Sequence, residues 1–250
     1  MEIIKARLDK ILVIKGLVEN ASKARSLIMA GKVLVNNKKI VKSGTSFLSN
    51  VDIKILEKNE GWASRGGIKL AYAIEYFQVD IKDKVCIDLG ASTGGFTDVL
   101  LSRGAKHIFS VDVGIGQLCW RLAVDNKITI IDKTNVRYIQ LSDLHPSINL
   151  ITCDLSFISL TKALNNLLNT TDREIDIIAL VKPQFELQKN QIGKRGIVVD
   201  ENFRMIAIKK VSLFLKEKKC EVISTVKSPI KGTKGNLEYF IYAKKEAAKN

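Results

Sequence analysis

The sequence has 250 residues, of which 46% are hydrophobic, and it carries a formal net charge of +14 at pH 7. This length allows one large domain or a large and a small domain, and the hydrophobic content excludes a wholly disordered chain. A positive charge of this size favours a polyanionic partner, which is either a nucleic acid or an anionic membrane surface.

The cysteine pattern and the hydropathy narrow the class of protein further. The 4 cysteines form no C-x-x-C pair and the chain has 2 histidines, so we expect no metal site. Scattered free cysteines are typical of a reducing cytoplasm. The N-terminal segment mixes charges into its apolar run, and no apolar stretch approaches the roughly 18 residues that span a bilayer. We therefore expect a cytoplasmic protein without a signal peptide or a stable membrane insertion.

Short elements are predicted for the first part of the chain. They are a helix over residues 5–19, a helix over 23–30, strands over 33–35 and 40–41, and a strand over 51–56. Asn20 or Ser22 can cap the second helix, and Gly31 can end it. The pair Asn36-Asn37 supports the positive φ angles of a tight hairpin turn. Together these elements predict a small α+β domain.

After residue 64 the pattern changes to an alternation of strands and helices. The predicted elements are a helix over 68–77, strands over 84–88 and 108–112 with a helix over 97–103 between them, and strands over 148–153, 175–181, 221–226 and 237–243. Such an alternation predicts an α/β fold with a doubly wound, mostly parallel, Rossmann-like sheet. We therefore predict a small domain over residues 1–58, a linker over 59–63 and a large domain over 64–250.

A glycine-rich turn between the first strand and its helix is a candidate cofactor site. It reads Asp88-Leu-Gly90-Ala-Ser92-Thr-Gly94-Gly95-Phe96-Thr97. Glycines let a backbone pass close to a ligand, and Asp112, at the end of the second strand, can accept hydrogen bonds from an adenosine ribose. The spacing Gly-x-x-x-Gly-Gly matches neither a pyrophosphate cradle nor a P-loop. The turn therefore favours S-adenosylmethionine, which is an adenosine with an amino-acid tail.

Four further polar residues stand out, namely Lys69, Asp154, Lys182 and Glu238. Any one of them is equally well explained as a place where the chain reaches water, but two cations and two anions together fit a cleft in which their charges satisfy one another. A lysine held against carboxylates can orient a hydroxyl group and take its proton. Neighbouring carboxylates favour the charged lysine and a second lysine opposes it. Whether Lys182 is a base or a hydroxyl-positioning group therefore stays open.

The order of these four residues resembles the Lys-Asp-Lys-Glu tetrad of FtsJ-like 2′-O-methyltransferases. Three N-terminal segments resemble the motif of an S4-like RNA-binding domain: Arg7-Leu-Asp9, Ser22-Lys-Ala-Arg25 and Gly31-Lys-Val-Leu-Val-Asn36. With the segments Ser-Arg-Gly-Gly-x-Lys-Leu and Val-Lys-Pro-Gln-Phe-Glu, nearly the whole chain is similar to the TlyA family. The resemblance implies methylation of cytidine 2′-hydroxyls in ribosomal RNA from S-adenosylmethionine. Some members of that family were named haemolysins.

The resemblance also implies a role for each site residue. Lys182 would meet the hydroxyl group with help from Asp154, while Lys69 and Glu238 would orient the substrate and complete the charge balance. The implied cofactor residues are Asp88, Gly90, Ser92, Gly94, Gly95, Phe96, Thr97 and Asp112, with Asn135 and Val136 near the adenine.

The basic N-terminal domain is expected to find the substrate, which is ribosomal RNA or a ribosomal subunit. The candidate RNA-binding residues are Lys5, Arg7, Lys10, Lys23, Arg25 and Lys32. Two other functions stay open: a non-catalytic RNA-binding protein with a degenerate methyltransferase domain, and a haemolysin that acts on membranes. The intact tetrad and turn argue against the first function, and the lack of an apolar spanning segment argues against the second.

Overall fold

The structure, a computed structural model, describes residues 4–18, 20–29, 31–55, 61–141, 144–145, 147–232 and 234–247. The chain divides into two compact units, Met1–Gly61 and Trp62–Asn250. The boundary predicted after residue 58 and the start of the predicted linker over 59–63 lie outside the described residues, so both stay predictions. No helix within the described ranges is long and apolar enough to cross a membrane.

The described residues of the first unit form two helices and five short strands. These are β1 (Lys5–Arg7), α1 (Leu8–Ile14), α2 (Ala21–Met29), β2 (Val33–Val35), β3 (Lys38–Ile40), β4 (Ser46–Leu48) and β5 (Ile53–Ile55). Strands β3, β2 and β5 form an antiparallel sheet, and β1 pairs antiparallel with β4. The buried core residues are Leu8, Leu12, Ala24, Ile28, Val33 and Val35.

Local sequence signals explain where several of these elements begin and end. Asn20 caps α2, because its side-chain Oδ1 accepts a hydrogen bond of 2.9 Å from the backbone N–H of Lys23. Gly31 follows α2 with a φ of +65°, and the hairpin turn holds Asn36 and Asn37 at φ 50° and 61°. The predicted cap, helix end and hairpin are therefore confirmed.

The predicted first helix is wrong at both ends. Residues Lys5–Arg7 are extended and pair with Ser46–Leu48, and helix α1 ends at Ile14 instead of residue 19. Strand β4 has three residues, which are too few to show an alternating apolar pattern in the sequence. Because that partner strand could not be recognised, the helical spacing of the apolar residues was extended over residues 5–7.

The second unit contains a longer series of alternating strands and helices. They are α3 (Arg65–Phe77), β6 (Val85–Leu89), α4 (Gly95–Ser102), β7 (His107–Val111), α5 (Trp120–Ala123), β8 (Ile128–Ile131), β9 (Ile148–Cys153), α6 (Leu160–Ala163), α7 (Asn165–Asn169), β10 (Ile175–Val181), α8 (Pro183–Glu186), α9 (Glu201–Glu217), β11 (Cys220–Lys227) and β12 (Tyr239–Lys245). The strands form one sheet in the order β11-β12-β10-β9-β6-β7-β8. Strands β8, β7, β6, β9 and β10 are parallel, whereas β12 is antiparallel to both β10 and β11.

Helices cover both faces of this sheet. Successive residues of a strand point to opposite faces, so Ile87 of β6 packs in one core with Leu215 of α9. Its neighbour Cys86 packs in a second core with Ile74 of α3 and Leu100 of α4. Strands that are buried on both sides in this way are typical of doubly wound sheets. The predicted α/β fold with a small N-terminal α+β domain is confirmed.

The last strand decides which residues reach the ligand-binding edge of the sheet. Strand β12 begins at Tyr239, two residues later than predicted, and Tyr239 lies opposite Val181, the last residue of β10. The antiparallel direction of β12 therefore brings Glu238 to the edge where the parallel strands end. The strand Ile128–Ile131 was not predicted, because its two central residues are exposed at the edge of the sheet and its apolar pattern does not alternate.

Candidate active site

A cavity of about 620 Å³ opens at the edge where the parallel strands end. Gly90, Asp154 and Lys182, which directly follow β6, β9 and β10, line this cavity together with Glu238, which directly precedes β12. Ligands of open α/β sheets bind outside the carboxyl ends of the strands. The position of this cavity is therefore the one expected of a functional site.

Lys182 and Asp154 form the first charged pair in the cavity. Lys182 Nζ lies 2.6 Å from Asp154 Oδ1 and donates a hydrogen bond of 2.9 Å to Ser156 Oγ. The contact with Asp154 is an ion pair without hydrogen-bond alignment, so the buried Oδ1 accepts no hydrogen bond from the described residues. Pro183 follows Lys182 and favours its extended backbone, at φ −108° and ψ 101°. The pair therefore holds an ammonium group in a fixed position against a carboxylate.

Lys69 and Glu238 form the second charged pair. Lys69 Nζ donates a hydrogen bond of 2.6 Å to Glu238 Oε2, and the two side chains are 10% and 3% exposed. The pair joins helix α3 to the start of β12, across 169 positions of the sequence. Buried ion pairs are weak contributors to stability, because desolvation of both charges offsets their attraction. Two such pairs side by side are therefore better explained by a role in function than by a role in stability.

The glycine-rich turn packs directly against the segments that carry these pairs. Gly90 has a φ of +85°, and a Cβ atom there would lie 2.7 Å from the backbone carbonyl oxygen of Asp154. A Cβ atom on Gly95 would lie 2.2 Å from Ser64 Oγ and 3.0 Å from the backbone nitrogen of Gly67. Only glycine fits at these two positions without a shift of the neighbouring backbone or side chain. The turn therefore passes close to both Asp154 and the start of α3.

Asp112 follows β7 and holds the turn from the side. Its Oδ2 accepts a hydrogen bond from the backbone N–H of Ser92 and its Oδ1 accepts one from Gly114, both at 2.8 Å. Each carboxylate oxygen has a further lone pair, so the partly exposed Asp112 keeps acceptor capacity for the hydroxyls of a ribose. Asn135 caps a short 3₁₀ turn with its side chain, and Val136, the first residue of that turn, is buried.

Asp88 and Thr97 lie beneath the turn, where both are fully buried. Asp88 Oδ2 accepts a hydrogen bond of 2.7 Å from Thr97 Oγ1, and its Oδ1 accepts one of 3.1 Å from Thr152 Oγ1. Burial raises the pKa of Asp88 to about 7, and the two hydroxyl hydrogen bonds only partly oppose this effect. In this position Asp88 and Thr97 support the turn through their mutual hydrogen bond, and their contact with a cofactor stays a prediction.

The cavity brings together one part of the predicted site. The predicted residues that line it are Lys69, Asp154, Lys182, Glu238, Gly90, Ser92, Gly95 and Phe96. The predicted cofactor residues outside its lining are Asp88, Gly94, Thr97, Asp112, Asn135 and Val136. The assignment of all these residues to catalysis or to a cofactor stays a prediction.

Among the polar residues that line the cavity and were not recognised in the sequence, three stand close to the tetrad in the chain, namely Ser156, Gln184 and Asn236. Asn236 is 2% exposed, and its side chain accepts a hydrogen bond from the backbone of Val198 at 2.9 Å and donates one to Gly196 at 2.8 Å. It thereby fixes a surface loop to the start of β12. Each of the three stands two positions from a tetrad residue in the sequence, and that spacing was the one signal that could have identified them.

The predicted RNA-binding residues of the first unit are exposed or partly exposed: Lys5, Arg7, Lys10, Lys23, Arg25 and Lys32. Arg7 donates two hydrogen bonds to Asp9, of 2.8 Å and 3.1 Å, and these raise the pKa of Arg7 and lower that of Asp9. The guanidinium group of Arg7 is thus partly occupied by the carboxylate of Asp9. The other five residues form no ion pair within the described part of the chain, although the charge of Arg25 also helps to lower the pKa of Asp9.

Comparisons with protein families agree with this arrangement. A model described as FtsJ-like methyltransferase matches residues 62–245, and a model described as S4 domain matches residues 6–46. The fold and the site thus define a methyltransferase with an S4 domain before it.

Individual relatives identify the family more closely. The 16S/23S rRNA (cytidine-2′-O)-methyltransferase TlyA of Mycobacterium tuberculosis is 39% identical over 239 residues, which cover 95% of this chain and 89% of the relative. The chain belongs to the TlyA family of FtsJ-like methyltransferases.

Solved structures are similar over most of the chain. A candidate hemolysin from Streptococcus thermophilus has a TM-score of 0.75 at 35% identity and covers 97% of this chain and 89% of that one. An S-adenosylmethionine-dependent methyltransferase from Mesorhizobium loti has a TM-score of 0.52 at 11% identity and covers 70% of this chain and 96% of that one. The second similarity shows a shared fold alone.

The buried carboxyl group of Asp88 predicts a pH dependence of stability. In the unfolded chain it loses its proton near pH 3.9, whereas in the folded chain it keeps the proton up to about pH 7. The folded state therefore binds more protons in this range, and its stability should fall as the pH rises, by at most roughly 4 kcal/mol in total. Asp88→Asn, which mimics the protonated form, should remove this fall.

The measurement is the free energy of unfolding by urea between pH 4.5 and 8, followed by tryptophan fluorescence. The 2 tryptophans, Trp62 and Trp120, both lie in the second unit and report on that unit. Asp80→Asn, at an exposed position, is the matched control and should keep the wild-type dependence. If the free energy of unfolding depended on pH in the same way for wild type and for Asp88→Asn, the raised pKa of Asp88 would be contradicted.

Proposed function

We propose that this protein transfers a methyl group from S-adenosylmethionine to the ribose 2′-hydroxyl of a cytidine in ribosomal RNA. The observation that carries the proposal is the presence of two lysine–carboxylate ion pairs in one cavity. Lys182 with Asp154 and Lys69 with Glu238 lie beside a glycine-rich turn at the carboxyl ends of parallel strands. The reaction named for the Mycobacterium tuberculosis relative supports the choice of substrate.

The chemistry requires that a weakly nucleophilic hydroxyl group loses its proton as it is methylated. Lys182 Nζ is held between Asp154 and Ser156, so it can orient the hydroxyl oxygen toward the methyl donor. We assign the departing proton to the Lys182–Asp154 pair, whose charged atoms lie 2.6 Å apart beside the proposed position of the hydroxyl group. The second pair, Lys69 with Glu238, keeps the neighbouring wall of the cavity neutral and fixed.

The residues beside the turn fit the proposed cofactor. When bound, S-adenosylmethionine supplies an activated methyl group on its sulfonium. Gly90 and Gly95 leave no side chain between the turn and the cavity, and Phe96 adds an apolar surface. Asp112 keeps free acceptor positions that suit the two ribose hydroxyls, and Asn135 stands on the next loop. These residues would bind and orient the cofactor.

The first unit is proposed to hold ribosomal RNA or a ribosomal subunit through phosphates. Its five unpaired cations are on the surface, and side chains of this type bind phosphate regardless of base sequence. Because the substrate is found in the cytoplasm, we place the protein there too.

The direct test of this function is methyl transfer to ribosomal subunits that lack the modification. The purified protein is incubated with isotope-labelled S-adenosylmethionine and with small or large subunits, and the digested RNA is analysed by mass spectrometry. The expected product is 2′-O-methylcytidine at a defined position. Label on a base, or no label on either subunit, would overturn the proposal.

Loss of the Lys182 side chain is predicted to damage chemistry more than binding. Lys182→Ala should lower the single-turnover rate, with cofactor and RNA saturating, by a factor on the order of 10²–10⁴. Lys182→Arg should not restore the rate, because a guanidinium stays protonated and differs in shape. Lys127→Ala, at an exposed position, is the control. A Lys182→Ala rate near that of wild type would show that Lys182 only reaches solvent.

Loss of the Asp112 carboxylate is predicted to weaken cofactor binding. Charge-assisted hydrogen bonds to the ribose contribute roughly 1.5–3 kcal/mol each, so Asp112→Ala should raise the dissociation constant at least about tenfold in calorimetry. Asp132→Ala is a matched control, because Asp132 also accepts a backbone hydrogen bond, from Gly116 at 2.7 Å. If Asp112→Ala and Asp132→Ala raised the dissociation constant of the cofactor equally, Asp112 would act only by holding its loop in position.

The cations of the first unit are predicted to set the salt dependence of RNA binding. The triple variant Lys10→Gln, Lys23→Gln and Arg25→Gln should reduce the slope of log affinity against log salt by roughly 0.7–0.9 for each lost phosphate contact. Lys54→Gln is the control, because Lys54 already lies 3.9 Å from a carboxylate oxygen of Asp52. An unchanged slope in the triple variant would contradict phosphate binding by this surface.

A further inference from the structure

The charges that line the cavity do not balance. Its six charged residues among those described are Arg65, Lys69, Asp154, Lys182, Lys234 and Glu238. The tetrad forms two neutral ion pairs, each with 2.6 Å between the charged atoms. Arg65 and Lys234 are exposed at the rim and form no ion pair or hydrogen bond with any residue that the structure describes. The cavity therefore presents two uncompensated positive charges.

Both unpaired cations stand next to the tetrad in the fold. Arg65 is the first residue of α3 and lies one helical turn before Lys69, on the same side of the helix. A Cβ atom on its neighbour Gly66 would lie 3.7 Å from Asp154 Oδ2, so this first turn of α3 adjoins the Lys182–Asp154 pair as well.

Lys234 lines the same cavity, but it belongs to a segment that is distant from Arg65 in the sequence. It belongs to the loop before β12, and a Cβ atom on Gly232 would lie 2.2 Å from Glu238 Oε1, so this loop lies against the glutamate. A backbone hydrogen bond of 2.9 Å from Gly232 to Asn236 closes the loop. Asn236 is itself anchored through its side chain to the backbone of Val198 and Gly196.

We propose that Arg65 and Lys234 bind a phosphodiester group of the RNA chain next to the ribose that is methylated. The inference rests on the proposed function and adds a binding subsite to it. In RNA the 3′-phosphodiester is attached to the carbon beside the one that carries the 2′-hydroxyl. When the 2′-hydroxyl is held at Lys182, the phosphodiester therefore lies near the rim of the same cavity. The tetrad has no net charge and cannot compensate the negative charge of this group.

A second anion could meet these cations, namely the carboxylate of the cofactor. S-adenosylmethionine carries an ammonium and a sulfonium group in addition to its carboxylate. Arg65 and Lys234 beside it would therefore attract one negative group but repel two positive groups. A phosphodiester carries no positive group, and a guanidinium can bind it through two parallel hydrogen bonds. The charge balance therefore favours the phosphodiester.

The experiment uses the full chain with the variants Arg65→Gln, Lys234→Gln and the double variant. Methylation of unmodified ribosomal subunits is measured against RNA concentration at saturating cofactor and at several salt concentrations. Calorimetry gives the dissociation constant of S-adenosylmethionine for each variant. Lys106→Gln, an equal charge change at an exposed position before β7, is the matched control, and Arg65→Lys tests whether charge alone is sufficient.

Each single variant is expected to raise the KM for RNA by a factor on the order of ten, with a smaller effect on kcat. The slope of log kcat/KM against log salt should fall by roughly 0.7–0.9 per variant. The dissociation constant of the cofactor should equal that of wild type, and Lys106→Gln should behave as wild type throughout. Arg65→Lys should recover part of the RNA affinity.

Two results would overturn the inference. Weaker cofactor binding with an unchanged KM for RNA would assign the cations to the carboxylate of the cofactor. Variants that match Lys106→Gln in every measurement would make Arg65 and Lys234 solvated surface charges. If wild type transfers no methyl group, the proposed function itself fails, and the affinity of each variant for the subunits, measured directly by sedimentation, still tests the phosphate subsite.

Discussion

Two pairs of opposite charge, the buried Lys69–Glu238 pair and the Lys182–Asp154 pair with a partly exposed carboxylate, hold four separate elements of the second unit at one place. A buried lysine or carboxylate without a partner would be strongly destabilising, so each charge requires its partner element to stay in position. The direction of β12 makes this possible, because it places Glu238 at the edge where the parallel strands end. If β12 ran parallel to β10, Glu238 would lie at the opposite edge and Lys69 would be left as an uncompensated buried charge.

The same cavity divides into a neutral part and a positive part. The tetrad forms two ion pairs, which suits a site where a proton moves between neighbouring groups, whereas Arg65 and Lys234 give the rim its positive charge. Beneath the turn, Asp88 accepts hydrogen bonds from Thr97 and Thr152 and links β6, α4 and β9 in the interior. Chemistry, proposed substrate attraction and support of the turn thus depend on different residues, and each can be changed separately.

The sequence predicted those parts of the fold that depend on local pattern. Strands such as Ile148–Cys153 and Ile175–Val181 are mostly buried and consist mostly of apolar residues, so their bounds were predicted correctly. The edge strands Ser46–Leu48 and Ile128–Ile131 expose half or more of their residues and were missed. The tetrad was recognised because charged residues interrupt apolar segments. Which lysine pairs with which carboxylate depends on the direction of β12, and no local pattern contains that information.

The central claim is that Lys182 meets the hydroxyl group that is methylated. A crystal structure of the protein with S-adenosylhomocysteine and a short RNA that contains the target cytidine would test it most directly. The account predicts a distance of about 3 Å between Lys182 Nζ and the ribose O2′, with Asp154 still beside the lysine. A cytidine bound with its O2′ directed away from Lys182, and with the sulfur of the cofactor facing a base atom, would contradict it.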